Sequence, residues 1–206
     1  MVDQIIAYLY QKGEYKPQEE NSFTPAICNR LDRNTSGTVI AGKNLMALQE
    51  INKAIHDDKI EKYYKTIVRG KIEKAGKLED YHIKDEFNKV TVLKEENENA
   101  KKIITKYKPL KISQEFTLLE IELITGKTHQ IRAHLQSIDH PIIGDGKYGD
   151  IKLNETLRKK YQLRFQLLHA YRLVWKQKEG KLAYLYNKEF LAQNPKIFEK
   201  IENELF

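Results

Sequence analysis

Several residue types and patterns are scarce in this sequence, and each scarcity excludes a class of protein. Cys28 is the one cysteine, so neither a disulfide scaffold nor a cysteine-rich zinc site can form. No apolar run approaches the roughly 20 residues that a membrane helix needs. The first residues lack a basic segment followed by an apolar one, so we expect a cytoplasmic protein with no membrane partner.

The remaining composition is typical of a globular protein with a surplus of basic residues. Of 206 residues, 40% are hydrophobic and 32% charged, and 36 Lys and Arg against 29 Asp and Glu give a net charge of +7. The length predicts a single domain over residues 1–206. The stretch 125–175 holds nine Lys and Arg, four acids and four of the six histidines. This stretch fits a phosphate backbone, and a solvated basic face explains it equally well.

Hydrophobic periodicity predicts an α+β fold with a mixed, largely antiparallel sheet flanked by helices. Helices are expected at residues 2–12, 44–56 and 128–137, with a last one beginning at 194–195. Asn44 and Thr128 are the predicted N-caps. Strands are expected at residues 38–41, 63–68, 102–107, 115–124, 168–175 and 182–190.

Two further segments differ from these elements in composition. Residues 14–25 are polar, contain two prolines and predict an ordered loop. Residues 71–101 are dense in Lys and Glu and poor in large apolar side chains. We interpret them as a charged insertion with a hairpin around residues 90–93 and a mobile acidic tip at 95–98.

Three patterns that suggest other chemistries are rejected. Gly126-Lys127-Thr128 resembles part of a phosphate-binding loop, but residue 121 is Ile where that motif needs glycine. His129 and His134 would lie about 140° apart on a helix, too far to share one metal ion, so no metal site is expected. Cys28 has no histidine motif to activate it, and an inert thiol is the better interpretation.

The turn Asn29–Gly37 contains a candidate for catalysis. Asp32 lies between Arg30 and Arg33, whose charges would keep its carboxylate ionised and able to act as nucleophile or base. A loop aspartate that caps a turn or pairs with an arginine explains the same residues. From these residues alone, the structural explanation is favoured.

Five motifs in order resemble the RluA/RluC/RluD family of RNA pseudouridine synthases. Asn29–Gly37 resembles its H-R-L-D-x-x-T-S-G signature. The other four segments, each beside the pattern that it resembles, are Lys62–Gly70 (K-x-Y-x-A-x-V-x-G), Thr125–Leu135 (T-G-R-T-H-Q-I-R-x-H-L), His140–Gly149 (H-P-I-x-G-D-x-x-Y-G) and Leu167–Ala170 (L-H-A). The resemblance implies the pseudouridine synthase fold.

The chain departs from the family pattern in three respects. Asn29 stands where His is common, and Lys127 replaces an arginine, which keeps the charge but loses bidentate geometry. The K-P-x-G strand and the S4 RNA-binding domain that often precede the signature have no counterpart here. We therefore expect an N-terminally short catalytic domain.

The resemblance implies an isomerase that converts uridine to pseudouridine in RNA, with large-subunit ribosomal RNA as the expected target. Asp32 would be the carboxylate essential for cleavage of the C1′–N1 bond, and Arg132 would pair with it. Tyr64 would hold the flipped base and handle a proton. Because nothing is oxidised and no energy is supplied, no cofactor is expected.

The resemblance also implies residues that bind the substrate. Arg30 and Arg33 would clamp the RNA backbone, His129 and Gln130 would border the site, and Leu168 would pack beneath the base. A monomer is favoured. Two alternatives stay open: a catalytically inactive, truncated RNA-binding module, and an unrelated basic protein with a structural role.

Overall fold

The computed structural model describes residues 2–16, 18, 23–84 and 90–206. Five helices lie in these ranges: α1 (Val2–Gln11), α2 (Leu45–His56), α3 (Gln130–Gln136), α4 (Ile151–Tyr161) and α5 (Lys196–Leu205). The strands are β1 (Ala26–Ile27), β2 (Ser36–Gly37), β3 (Ala41–Gly42), β4 (Ile60–Arg69), β5 (Gly76–Lys84), β6 (Val90–Leu93), β7 (Lys101–Ile112), β8 (Phe116–Leu123), β9 (Leu168–Trp175) and β10 (Glu189–Leu191). None of these helices has the length and apolar content needed to cross a membrane.

One eight-stranded sheet organises the fold. Its strands run in the order β10-β9-β4-β8-β7-β5-β6, with every neighbouring pair antiparallel, and β2 adds a short parallel pairing to β9. The central strands β8 and β9 are buried over most of their length, and β4 over half of its length. The predicted mixed, largely antiparallel α+β sheet is therefore confirmed.

Side-chain alternation along the central strands builds a core on each face of the sheet. On one face, Tyr64 and Ile121 pack with Ile131 of α3. On the other face, Ile67 and Leu118 pack with residues of α4 and α5. Helix α2 packs over Ile60 of β4, on the same side as α3. A space is thus left between α2 and α3, above the middle of the sheet.

Most predicted elements are confirmed, with shifts at their ends. The predicted cap of α2 forms, since Asn44 Oδ1 accepts a hydrogen bond from the amide of Ala47 at 2.8 Å. The predicted cap of α3 is wrong: the helix begins at Gln130, and His129 precedes it with a φ of +53°. The side chain of Gln130 accepts the amide of Lys127 at 3.1 Å and so orders the turn that Thr128 was expected to cap.

Two strand predictions are wrong. Residues 38–41 do not form one strand; β2 ends at residue 37 and β3 begins at residue 41. Residues 182–190 contain a short 3-10 helix, Ala183–Leu185, and only then the edge strand β10. In both places the apolar side chains pack without a continuous strand partner, which the hydrophobic pattern does not reveal.

The charged segment 71–101 contributes β5 and β6 to one end of the sheet, where they pair as the expected hairpin. β5 also pairs along seven residues with β7. Residues 85–89 of this hairpin, and residues 17 and 19–22 of the predicted loop 14–25, lie outside the described residues. Residues 95–98, three of which are Glu, are exposed.

Candidate active site

A cleft of about 650 Å³ opens between α2 and α3. One wall is the loop of residues 28–35, which includes Asp32, and the other is the turn of residues 125–128 before α3. The floor is made by alternate residues of β4 together with side chains of β8 and β9, among them Tyr64 and Leu168. A cleft of this volume is large enough for a nucleoside-sized ligand.

Hydrogen bonds from distant residues fix the loop of Asp32. Asn29, which replaces the common His, accepts the amide of Ile40 with its Oδ1 at 2.7 Å. The amide of Thr35 donates to the carbonyl of Asp32 at 2.9 Å, closing a turn around the carboxylate. Gln166 Nε2 donates to the carbonyl of Arg33 at 2.8 Å. The loop therefore has a fixed shape although it is neither helix nor strand.

The end of this loop is held against β9 by a close backbone approach. Gly37 has a φ of +125°, and a β-carbon there would lie 2.2 Å from the carbonyl oxygen of Ala170. Ser36 Oγ also lies 2.8 Å from Nδ1 of His169. Only glycine fits this position, so the conformation of one residue brings the loop to the strand that carries Leu168.

Two carboxylates meet at one buried guanidinium. Arg132, which is 7% exposed, lies with its Nη1 3.6 Å from Oδ2 of Asp32. Its Nε and Nη2 donate to the two oxygens of Asp145 at 2.7 and 2.9 Å. Arg132 therefore forms its bidentate pair with Asp145 and offers its remaining side to Asp32.

Asp145 is a second acid that the site depends on. Its carboxylate is fully buried and also accepts the amides of Lys147 and Tyr148 at 2.9 and 3.0 Å. Burial by itself would raise the pKa of Asp145, but the hydrogen bonds and the charge of Arg132 outweigh it, and the pKa is lowered. Asp145 therefore stays charged and fixes the orientation of Arg132.

Tyr64 and Leu168 belong to the floor of the cleft. Both side chains are buried and belong to one apolar cluster, against which Leu31 packs. Burial first, and the nearby charge of Asp32 second, raise the pKa of Tyr64 to about 12. The phenol is thus protonated at neutral pH and can donate a hydrogen bond beside an apolar surface.

His129, which was expected to border the site, lies outside the lining of the cleft and contacts Tyr148. The Tyr148 hydroxyl accepts the amide of Val90 at 3.0 Å and lies 3.0 Å from Nδ1 of His129. The hydroxyl accepts one bond from Val90 and can donate its own proton in a hydrogen bond to Nδ1 of His129. Burial, more than any other cause, lowers the pKa of His129.

Gln130 lines the cleft, but its amide is occupied by protein groups. Its Oε1 accepts from the Thr125 hydroxyl at 2.9 Å, and its Nε2 donates to Ile104 and Thr105, both at 3.0 Å. Gln130 therefore shapes the turn before α3. Arg30 is exposed and lines the cleft, whereas Arg33 is exposed and lies outside its lining.

A buried polar chain attaches α3 to the far strands of the sheet. His134 lies with Nδ1 2.8 Å from the hydroxyl of Thr105 and with Nε2 3.2 Å from the carboxylate of Asp80. Lys94 donates to both oxygens of Asp80 at 3.0 Å. Every residue of α3 from 130 to 135 is buried, so the helix that presents Arg132 is held on all sides.

The structure therefore brings Asp32, Tyr64 and Leu168 together at one cleft, and Arg132 contacts Asp32 although it lies outside the lining of the cleft. The sequence argument missed the roles of Asp145, Tyr148, Gln166 and Lys62 (a cleft residue of β4). Asp145 and Tyr148 were visible as the acid and the aromatic of the His140–Gly149 motif, without an indication of what they contact. Nothing in the sequence indicated the role of Gln166, because its hydrogen-bond partners lie more than a hundred residues away along the chain.

Comparison with known proteins agrees with this geometry. The sequence profile of the RNA pseudouridylate synthase family matches residues 4–137. The match covers more than half of the chain and includes the loop of Asp32, Tyr64 of β4 and Arg132 of α3. The chain belongs to the RNA pseudouridylate synthase family.

Curated relatives are similar over much of the chain. An uncharacterized RNA pseudouridine synthase of Mycoplasma genitalium is 36% identical over 180 residues, which are 85% of this chain and 55% of the relative. Ribosomal large subunit pseudouridine synthase D of Borreliella burgdorferi is 34% identical over 182 residues, which are 87% of this chain and 52% of the relative. tRNA pseudouridine synthase C of Vibrio parahaemolyticus is 34% identical over 154 residues, which are 69% of this chain and 62% of the relative. The chain thus spans about half the length of the first two relatives and somewhat more of the third.

A solved structure supports the fold. The human RNA pseudouridylate synthase domain-containing protein 4 superposes with a TM-score of 0.75 at 21% identity. The superposition covers 98% of this chain and 82% of the human chain. The predicted pseudouridine synthase fold is confirmed.

Proposed function

We propose that this chain isomerises uridine to pseudouridine in RNA. The observation on which the proposal depends most is the meeting of Asp32 and Arg132, 3.6 Å apart, at a cleft whose floor includes Tyr64. Membership of the RNA pseudouridylate synthase family supports the same reaction. The C1′–N1 bond breaks, the base turns, and C5 bonds to C1′ while the C5 proton leaves and N1 is protonated, so the atoms balance without an oxidant.

The shape of the cleft suits a uridine that has left its stack. Bases in a helix hide C1′ and C5 from a protein side chain, so the nucleotide must turn out of the RNA. Tyr64 and Leu168 offer an aromatic and an apolar surface for the loosened base. In this proposal Arg30, which is exposed and lines the cleft, contacts the RNA backbone.

Asp32 supplies the reactive carboxylate in this proposal. It either attacks C1′ or removes a proton from the sugar, and both routes need negative charge close to the ribose. Arg132 provides the opposite charge without enclosing the carboxylate, because its bidentate pair is with Asp145. In this proposal the protonated phenol of Tyr64 exchanges a proton with the sugar.

Large-subunit ribosomal RNA is the proposed target. The relative named for the ribosomal large subunit aligns over 87% of this chain, and the relative named for tRNA over 69%, at the same 34% identity. A cytoplasmic monomer that needs no cofactor is part of the same proposal. Mapping pseudouridines in ribosomal RNA and tRNA from cells with and without the gene would decide between the two targets.

Tritium release from RNA labelled at C5 of uridine tests the reaction directly. The wild-type chain should release tritium, and Asp32→Asn should slow release by about 10³-fold or more while binding RNA normally. Asp139→Asn, the same change at an exposed residue outside the cleft, serves as the control. RNA binding without release by the wild type would favour the inactive binding module, and normal release by Asp32→Asn would refute the role of Asp32.

A further inference from the structure

Lys62 is a charged residue in an otherwise apolar part of the cleft floor. Along β4, Ile60, Lys62 and Tyr64 alternate into the cleft. Leu123 of β8 and Leu173 of β9 line the same floor. The lysine stem therefore lies among apolar side chains, two residues from the tyrosine of the proposed reaction.

The ammonium of Lys62 makes no hydrogen bond or ion pair within the described part of the chain, and its electrostatic neighbour there is Asp58. Other charged residues of β4 are paired: Arg69 bonds to Asp150, and Lys65 lies 4.8 Å above the ring of Tyr171. Burial lowers the pKa of Lys62, and the charge of Asp58, beyond ion-pair distance, opposes that effect only in part. A half-buried cation without a partner is costly, so a group that binds in the cleft is the candidate to neutralise it.

The ammonium lies toward the mouth of the cleft. A β-carbon built on Gly126 would be 3.9 Å from Nζ of Lys62, and Gly126 itself is exposed. Lys127 follows on this rim, and Arg30 lies on the opposite wall. Three cations thus surround the entrance, and Lys62 is the one whose apolar stem rises from the floor of the cleft.

We propose that Lys62 binds a backbone phosphate next to the flipped uridine. This inference depends on the proposed action on RNA. An RNA substrate contains uracil, ribose and phosphate groups. Because uracil and ribose are neutral, only the phosphate carries a negative charge that can neutralise the ammonium. Lysine binds phosphate as a point charge and needs no bidentate geometry. Lys62 would hold the strand while Asp32 acts on the sugar.

The test compares Lys62→Met with Lys62→Arg and with Lys200→Met, whose lysine is exposed on α5 across the sheet. The dissociation constant of a 12-nucleotide oligouridine is measured over a range of KCl concentrations. Each phosphate contact on single-stranded nucleic acid contributes about 0.7 to the slope of log affinity against log salt. Lys62→Met should lose about that much slope and weaken binding about tenfold near 0.1 M salt. Lys62→Arg should keep the slope, and Lys200→Met should behave as wild type.

Thermal unfolding separates a lost contact from a damaged fold, since removing an unpaired charge from apolar surroundings should not lower the melting temperature of Lys62→Met. A wild-type slope and affinity for Lys62→Met would overturn the proposal, even if its turnover fell. So would a failure of the wild type to bind oligouridine. Tritium release by the wild type is scored separately, so absent chemistry with an intact slope difference would refute the proposed function and leave the phosphate contact supported.

Discussion

Two loops each bring a carboxylate to Arg132, and they do so in different ways. In the loop around residue 145, the carboxylate of Asp145 is completely buried and accepts four hydrogen bonds, two from Arg132 and two from backbone amides. The loop of residues 28–35 leaves the Asp32 side chain 19% exposed, 3.6 Å from the same guanidinium.

The difference shows how Arg132 can pair with a buried acid and, with the same guanidinium, stabilise the charge of the acid at the cleft. A carboxylate that is fully buried and accepts four hydrogen bonds from the protein is out of reach of a substrate, so we interpret Asp145 as a positioning residue. Asp32 keeps free oxygen atoms at the cleft and is stabilised by a charge that is already fixed in place. Arg132 can approach Asp32 without leaving its own buried charge uncompensated, because Asp145 neutralises it.

The largest effect expected from this contrast is on stability. Asp145→Asn removes the partner of a buried guanidinium and should lower the free energy of unfolding by about 3–5 kcal/mol. Asp32→Asn, the same change on the more exposed acid, should lower it by at most about 1 kcal/mol. Urea denaturation of both variants measures the difference, and equal losses would contradict the division between a positioning and a reacting acid.

The next effect concerns the floor beneath Asp32. Tyr64→Phe should reduce turnover by about 10²-fold and change RNA affinity little, because the base still stacks while the proton of the phenol is lost. Single-turnover tritium release and RNA binding separate the two quantities. Tyr63→Phe is the matched control, since its hydroxyl donates to Glu61 from the neighbouring position on β4. Unchanged turnover in Tyr64→Phe would mean that this tyrosine acts only by stacking.

A smaller effect is expected from the removal of the Tyr148 hydroxyl. Tyr148→Phe leaves the amide of Val90 without its acceptor and His129 without its partner. The free energy of unfolding should fall by about 1–2 kcal/mol, and hydrogen exchange at Val90 should become faster. Tyr184→Phe, at an exposed tyrosine, should change neither quantity. A stable variant with a protected Val90 amide would show that the hydroxyl does not connect β6 to the site.

The smallest effect is a pH dependence of the helix that presents Arg132. Burial, above all, lowers the pKa of His134 from 6.5. The unfolded chain then binds a proton that the folded chain resists, so the free energy of unfolding falls as the pH drops below about 6.5. His134→Gln should flatten the curve between pH 7 and 5, with His56→Gln at an exposed position as the control. A wild-type curve from His134→Gln would show that His134 does not titrate on unfolding.

Local sequence was informative where local interactions decide the structure. The helix capped by Asn44 and the strands around Tyr64 and Leu168 follow from side-chain periodicity and capping, which act over a few residues. The strand predictions at 38–41 and 182–190 failed because strand pairing depends on partners elsewhere in the chain. The prediction of a cap at Thr128 was wrong for a similar reason, because the side chain of Gln130 accepts the backbone amide of Lys127 before the helix begins.

The sequence by itself determined the fold class, the family resemblance and the identities of Asp32, Tyr64, Arg132 and Leu168. Only the tertiary structure decided which acid pairs fully with Arg132 and which lysine of β4 faces the cleft without a partner. Motifs record residue types at fixed spacings along the chain. Burial and pairing arise from distances between segments a hundred residues apart, and those exist only once the sheet has brought β4, β9 and α3 together.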